Sequence, residues 1–192
     1  MKSNTSQKHA IRKQMGFTLI EIMIALGIMG AAAAGVLYYQ NRAETGQAAS
    51  KTATDISMIA SKVKSYFGPS NSYSALTGAK LNEMSLIPSP MKYDGTNVLD
   101  PWGNTMTING GTTSFAITIG GSTSPLDKEA CNSIASKLAE NAQRINVGAA
   151  SATSGAITGG SVYKASFSAT PDTGALATGC NVANAVIAAQ FR

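Results

Sequence analysis

Histidine is all but missing from this chain, and the single one, His9, stands within the first ten residues. A Ser-His-Asp or Cys-His arrangement needs an imidazole beside its nucleophile, so hydrolysis of that kind is excluded for everything after residue 9. Cysteine is limited to Cys131 and Cys180, and two isolated thiols without a neighbouring histidine make a poor metal site. Glycine occurs in pairs, Gly110-Gly111, Gly120-Gly121 and Gly159-Gly160, with none of the spacing of a phosphate loop. No run of lysine and arginine with interleaved aromatics is present, so the electrostatic footprint of a nucleic-acid binder is lacking. These absences predict no catalytic residue, no cofactor and no resident metal.

Charge is scarce as well. Only 13% of the 192 residues are charged, and the formal balance is +5. Four of the fifteen basic residues, Lys2, Lys8, Arg12 and Lys13, precede Gly16, where no acid occurs, leaving eleven basic against ten acidic. The excess therefore belongs to the N-terminal segment, where positive residues before an apolar helix hold that end in the cytoplasm.

What the chain does have is a long apolar run. Phe17 to Tyr39 reads FTLIEIMIALGIMGAAAAGVLYY, with Glu21 its only acidic or basic residue. As a helix it would be about 35 Å long, enough to cross a bilayer. A lone carboxylate in hydrocarbon costs a few kcal/mol, ~2.5–3.5 on insertion scales, so it marks a function and implies a partner. A secretory signal cut near Ala31 to Gly35 is one rival reading. Glu21 sits badly in such a segment, and the apolar run continues past the alanines. A plain signal-anchor helix explains the length but neither Glu21 nor the glycine junction.

Lys13, Gly16, the FTLIE of Phe17 to Glu21 and the apolar helix behind them resemble the type IV pilin family. The resemblance implies cleavage between Gly16 and Phe17 by a prepilin peptidase, which also N-methylates Phe17. It further implies that the Glu21 carboxylate neutralises the terminal amine of Phe17 on a neighbouring subunit. An ammonium and a carboxylate in an apolar core are tolerable mainly as a pair. The 16-residue leader and the wide cysteine spacing suggest the type IVb branch, of bundle-forming, toxin-coregulated and conjugative thin pili, although Phe17 at the cut is usual for the IVa branch.

Behind Tyr39 the helix is expected to continue to Phe67. Ile56, Ile59, Val63 and Phe67 form one apolar stripe, Lys51, Lys62 and Lys64 supply the wet side, and Gly68-Pro69 stops it. Ser70 to Asp100 reads as a loop with at most short elements, and Asp100-Pro101-Trp102-Gly103-Asn104 as a turn. Asp94, Asn97 and Asp100 would be the ligands of a calcium loop, but Asp-Gly and Asp-Pro turns explain them at lower cost. Thr105 to Ile108 and Ser114 to Ile119 are predicted as a hairpin about Asn109-Gly110-Gly111. Ser124-Pro125 is expected to open a second helix with Ser124 as cap, Asp127 and Glu129 near its positive end, and an apolar face of Leu126, Ala130, Ile134, Leu138, Ala142 and Ile145. A short helix is expected over Pro171 to Thr178 and strands over Ser161 to Ser168 and Ala183 to Phe191. In an exported chain an even pair of cysteines favours a Cys131–Cys180 disulfide closing a loop of about 50 residues, worth ~3–4 kcal/mol on the loop-entropy account. In the family resembled, the last cysteine ties this region to the second helix.

Together these readings predict an α+β protein of type IV pilin fold. A long N-terminal helix would have its hydrophobic half projecting and its amphipathic half packed on an antiparallel sheet, with a disulfide-closed C-terminal region. Residues 1–16 would be a cleaved leader, 17–39 a transmembrane and filament-core segment, and 40–192 a periplasmic, later extracellular, head. The expected role is a major pilin, self-assembling into a pilus for adhesion, aggregation or conjugation. Its expected partners are the prepilin peptidase and N-methyltransferase, an assembly ATPase, an inner-membrane platform protein and an outer-membrane secretin. Before assembly the chain would sit in the inner membrane. A type II secretion pseudopilin or a minor or priming pilin is the nearer alternative, and a signal-anchored periplasmic enzyme the distant one.

Overall fold

An apolar stripe on a helix must find a surface to cover, and in this chain that surface is an antiparallel sheet. The computed structural model describes residues 18–70 and 72–192. The leader, with His9, and the Gly16–Phe17 junction lie outside the described residues. The first helix, α1, spans Leu19–Phe67 and ends in a single 3-10 turn at Gly68–Ser70, as the Gly-Pro pair requires. The chain divides into two units, residues 1–41 and 42–192. The described part of the first is helix alone, and its large apolar side chains, among them Leu19, Ile24, Leu26 and Met29, are exposed.

In the second unit the stripe of α1 is buried. Ala49, Ala53, Ile56, Ile59, Ala60 and Val63 all belong to the core, and Phe67 is half-buried against it. Each fully buried isoleucine contributes about 1.5–3 kcal/mol. On the opposite flank Lys51 donates to Asp55 at 2.9 Å and to the Ser89 carbonyl at 2.6 Å, fastening the helix to the loop beyond it.

A short helix α2 (Gly78–Glu83), capped by Thr77, lies within the predicted loop. Seven strands follow: β1 (Lys92–Tyr93), β2 (Val98–Leu99), β3 (Thr105–Gly110), β4 (Phe115–Gly120), β5 (Arg144–Thr153), β6 (Ala156–Lys164) and β7 (Val186–Phe191). They form one sheet in the order β1-β2-β3-β4-β7-β5-β6, every neighbouring pair antiparallel. The last strand is therefore central, and alternation along it places Ile187, Ala189 and Phe191 in the main core with Phe115, Ile117 and Ile119 of β4. The Phe115 ring stacks on Phe191 at 5.3 Å between centroids and tilts against Tyr73 at 5.0 Å.

Helix α3 (Lys128–Leu138) and helix α4 (Thr173–Gly179) complete the head. Three expectations need correction here. Ser124 does not cap α3; Asp127 does, accepting from the Ala130 amide at 2.6 Å. Ser124 is instead engaged by Asn104, whose side chain accepts from its amide and donates to its carbonyl. Ala142 and Ile145 lie beyond α3, and Ile145 belongs to β5. They continue the apolar spacing because the turn and the strand feed the same core. The hairpin turn falls at Gly111 to Ser114, not at Asn109-Gly110-Gly111. Gly110 is a strand residue, needed because a Cβ there would collide with the Tyr73 backbone.

Two further boundaries moved. β6 begins at Ala156 and ends at Lys164, short of Ser168. The Lys164 ammonium is buried and donates to the carbonyl of Ala139, the C-cap of α3, and to that of Ala142 in the turn beyond it. Strand β5 was not foreseen at all. Ile59→Ala should destabilise the head by about 2–5 kcal/mol, and Met58→Ala, one residue away and 39% exposed, by no more than about 0.5 kcal/mol. Denaturant unfolding followed by near-UV circular dichroism measures both; equal effects would contradict the packing described.

Candidate functional site

The polar groups of the apolar helix gather at its start. Thr18 precedes the first helical residue, and its hydroxyl accepts from the Glu21 amide at 3.4 Å. The Glu21 carboxylate turns back, with Oε2 accepting from the Thr18 amide at 2.9 Å and from the Thr18 hydroxyl at 3.0 Å. This is a reciprocal capping box, in which two amides that the helix leaves without partners are satisfied by each other's side chains. A carboxylate is also favoured by the positive end of the helix macrodipole. Both Thr18 bonds fall on one oxygen, and a carboxylate has about four acceptor positions. The box thus orients Glu21 without using up its capacity to receive a further donor. Thr18 was missed in the sequence, although the T-x-x-E spacing of Thr18 to Glu21 is the signal that finds it.

Along the same face Ile22, Ala25, Leu26 and Met29 make a shallow apolar groove beside Glu21. By length and composition alone, the helical stretch Leu19–Ser70 has what is needed to cross a membrane. Gly16 and Phe17, the expected cleavage pair, lie outside the described residues.

Cys131 and Cys180 are joined in a disulfide across a sequence separation of 49 residues, with their Cα atoms 5.7 Å apart. Cys131 sits in the first half of α3 and Cys180 is the C-cap of α4. Each helix starts at an aspartate: Asp127 for α3, and Asp172 for α4, whose Oδ1 accepts from the Gly174 and Ala175 amides at 2.8 and 3.1 Å. Both sulfurs belong to buried residues, so the bridge clamps α4 onto the core rather than onto the surface. β5, β6 and α4 all lie in the segment it closes.

The aspartates weighed for calcium serve separate turns. Asp94 Oδ1 accepts from the Thr96 and Asn97 amides at 2.8 and 2.6 Å, and these backbone bonds, Asn97 first, hold its exposed carboxyl below the ordinary range. Asp100 is buried, with Oδ1 accepting from the Trp102 and Asn104 amides and Oδ2 from the Asn104 side chain and the Gly120 amide. Four donors on one carboxylate make it the knot of the Asp100–Asn104 turn. Asn97 enters as a backbone donor. Among the described residues no group of three or more His, Cys, Asp or Glu side chains is placed to hold a metal ion.

Comparison with known proteins bears on both regions. A family model described as PilS N terminal matches residues 46–189, and one described as the prokaryotic N-terminal methylation motif matches residues 11–37. No curated protein matches the chain. Among solved structures, the chain is similar to TcpA, a type IV pilin from the El Tor biotype of Vibrio cholerae. The identity is 18%, the match covers 76% of this chain and 99% of that one, and the TM-score is 0.48.

Thr18→Val removes the cap while keeping the shape, and should cost the helix start about 1 kcal/mol. Amide exchange measured by NMR in detergent micelles should then quicken at Thr18 and Glu21 and stay unchanged at residues 56–63. Thr18→Ser should restore protection. Unchanged exchange at Glu21 in the valine variant would show that the box does not hold the helix end.

Proposed function

The chain belongs to the PilS N-terminal family and carries the prokaryotic N-terminal methylation motif, and from its place among the type IV pilins as a pilus subunit we propose that it is a major pilin of the type IVb branch. The observation that supports a pilin subunit is the coincidence of the motif at residues 11–37 with a helix start where Thr18 and Glu21 meet in a capping box. The IVb branch rests on the 16 residues before Phe17 and the wide Cys131–Cys180 spacing. The role is mechanical rather than catalytic.

In the proposed sequence of events, residues 1–16 are a leader that keeps its basic end in the cytoplasm while residues 17–39 lie in the inner membrane. Prepilin peptidase cuts between Gly16 and Phe17 and methylates the new amine. That amine is a cation at the edge of an apolar environment, and Glu21 of the neighbouring copy is the anion that receives it. Their mutual attraction offsets the desolvation of both charges, several kcal/mol for each when unpaired. Within the bilayer these apolar side chains already lie in hydrocarbon, so bundling of the helices draws on van der Waals packing, which small residues such as Gly27, Gly30 and Ala31 allow by close approach. An assembly ATPase, a platform protein and a secretin carry the polymer outward, and residues 40–192 become the surface of an extracellular filament. That filament would act in adhesion, aggregation or conjugation.

Glu21→Val tests the pairing. Expressed in the native host, the variant should be processed and held in the membrane yet yield no filaments, or filaments reduced by more than tenfold, by shear preparation and immunoblot. Filament yield equal to that of the unaltered chain would sink the assignment of Glu21.

A further inference from the structure

The longest hairpin of the sheet does not stay in the plane of the sheet. Strand β5 pairs with β7 only from Arg144 to Gly148, and beyond that point it has β6 alone. At the same level the β5–β6 register shifts between Val147 and Ala150, and three glycines adopt positive φ: Gly148 at +107°, Gly159 at +69° and Gly160 at +66°. Bulges of this kind bend a ribbon and increase its twist. The distal part, residues 150–159, is thereby carried over the face of the sheet opposite the main core.

There Ala150 and Ile157 pack on Ala116 of β4 and Ala188 of β7, with Ala152 beside them, as a second and separate apolar cluster. Side chains of the underlying strands reach up to the hairpin backbone. Asn109 donates to the Ala152 carbonyl at 2.8 Å, and Ser114 and Gln190 donate to the Gly155 carbonyl at 3.0 and 2.8 Å. The tip is a two-residue turn at Ser154 and Gly155, with φ of +49° and +77°. It lies so close that a Cβ on Gly155 would run into the Ser114 carbonyl.

The contrast with the rest of the head is in what holds each part. The main core is closed by large aliphatic and aromatic side chains from every element of the second unit. The folded-over hairpin is held by Ala150, Ala152 and Ile157 against two alanines of the sheet and by four side-chain ties, that of Asn146 to the Gly159 carbonyl lying at the glycine bend. Local openings in proteins follow such differences, since a segment with little buried apolar area separates before the core does. We propose that residues 150–159 form a strap that opens and closes as one unit over the outer face, hinged at Gly148 and Gly159-Gly160, while the sheet beneath stays folded. Open, the strap frees the β5 backbone beyond Gly148 from the tie at Ala152 and bares the Ala116–Ala188 face. The closed strap keeps the Ala116–Ala188 face from neighbouring copies in a polymer-forming protein, without asking the core to unfold.

Hydrogen–deuterium exchange with peptide-level mass spectrometry on the full chain in detergent micelles tests this. In the unaltered protein, peptides covering 150–159 should exchange on the order of tenfold or more faster than peptides covering 115–120 and 186–189. The double variant Asn109→Ala, Gln190→Ala should speed the strap by a further factor on the order of tenfold per lost tie, leaving 115–120 unchanged. Strap and sheet exchanging together in the unaltered protein would overturn the proposal. So would a double variant that loosens 115–120 as much as 150–159, because the hairpin would then belong to the cooperative core. The comparison within the unaltered protein stands even if the variant folds poorly.

Discussion

A carboxylate within an otherwise apolar helical run is the constraint on which the rest of this chain depends. Glu21 stands four residues after Phe17, among side chains that are apolar on every side of the helix. Left alone it costs several kcal/mol, by the same desolvation that opposes any unpaired buried charge. The capping box with Thr18 relieves part of that cost within the single chain, since two donors from one residue reach one carboxylate oxygen. It also fixes where the remaining acceptor capacity is offered, at the end of the helix where, under the processing proposed above, a new amine would arise. In the proposed function, membrane retention, processing and polymerisation would be successive ways of satisfying this one group.

The head follows a different logic, in which covalent and polar ties compensate for a chain rich in small residues. Gly, Ala, Ser and Thr dominate the last third of the sequence, and small side chains bury little apolar area apiece. The Cys131–Cys180 disulfide fixes α4 to α3, Lys164 donates to the C-cap carbonyl of α3, and Asp100 gathers four donors into one turn. The buried Lys164 and Asp100 each have hydrogen-bond partners, which is the condition for such a group to hold a fold together rather than weaken it. The main core can then remain formed while a lightly held hairpin such as residues 150–159 responds on its own.

The elements that were legible in the sequence are those whose signals are local and strong. The apolar run, the 3-4-4 stripe of Ile56, Ile59, Val63 and Phe67 and its Gly68-Pro69 stop gave α1, and β-branched alternation gave β3, β4 and β7. Strand β5 was invisible because RINVGAASAT carries few β-branched residues, and its conformation comes from β7 and β6 on either side, the kind of tertiary context that overrides propensity. The start of α3 was misplaced because Ser124-Pro125 is a good opening pair and Asp127 an equally good one three residues on; only the claim of Asn104 on Ser124 decides between them. Lys164 gave no sign of being a helix cap, since its partners lie 22 and 25 residues away in the chain. At the N-terminus Glu21 stood out by its chemistry and Thr18 did not, although one spacing rule links them.

Intact-mass and N-terminal analysis of the mature protein from its native host tests the central claim most directly. The account predicts a chain that begins at Phe17, carries one methyl group on its amine, and is lighter by two hydrogens for the Cys131–Cys180 bridge. A chain that begins near Gly35, or still carries Met1, would contradict it, because Glu21 would then be absent or would meet no Phe17 amine on a neighbouring copy.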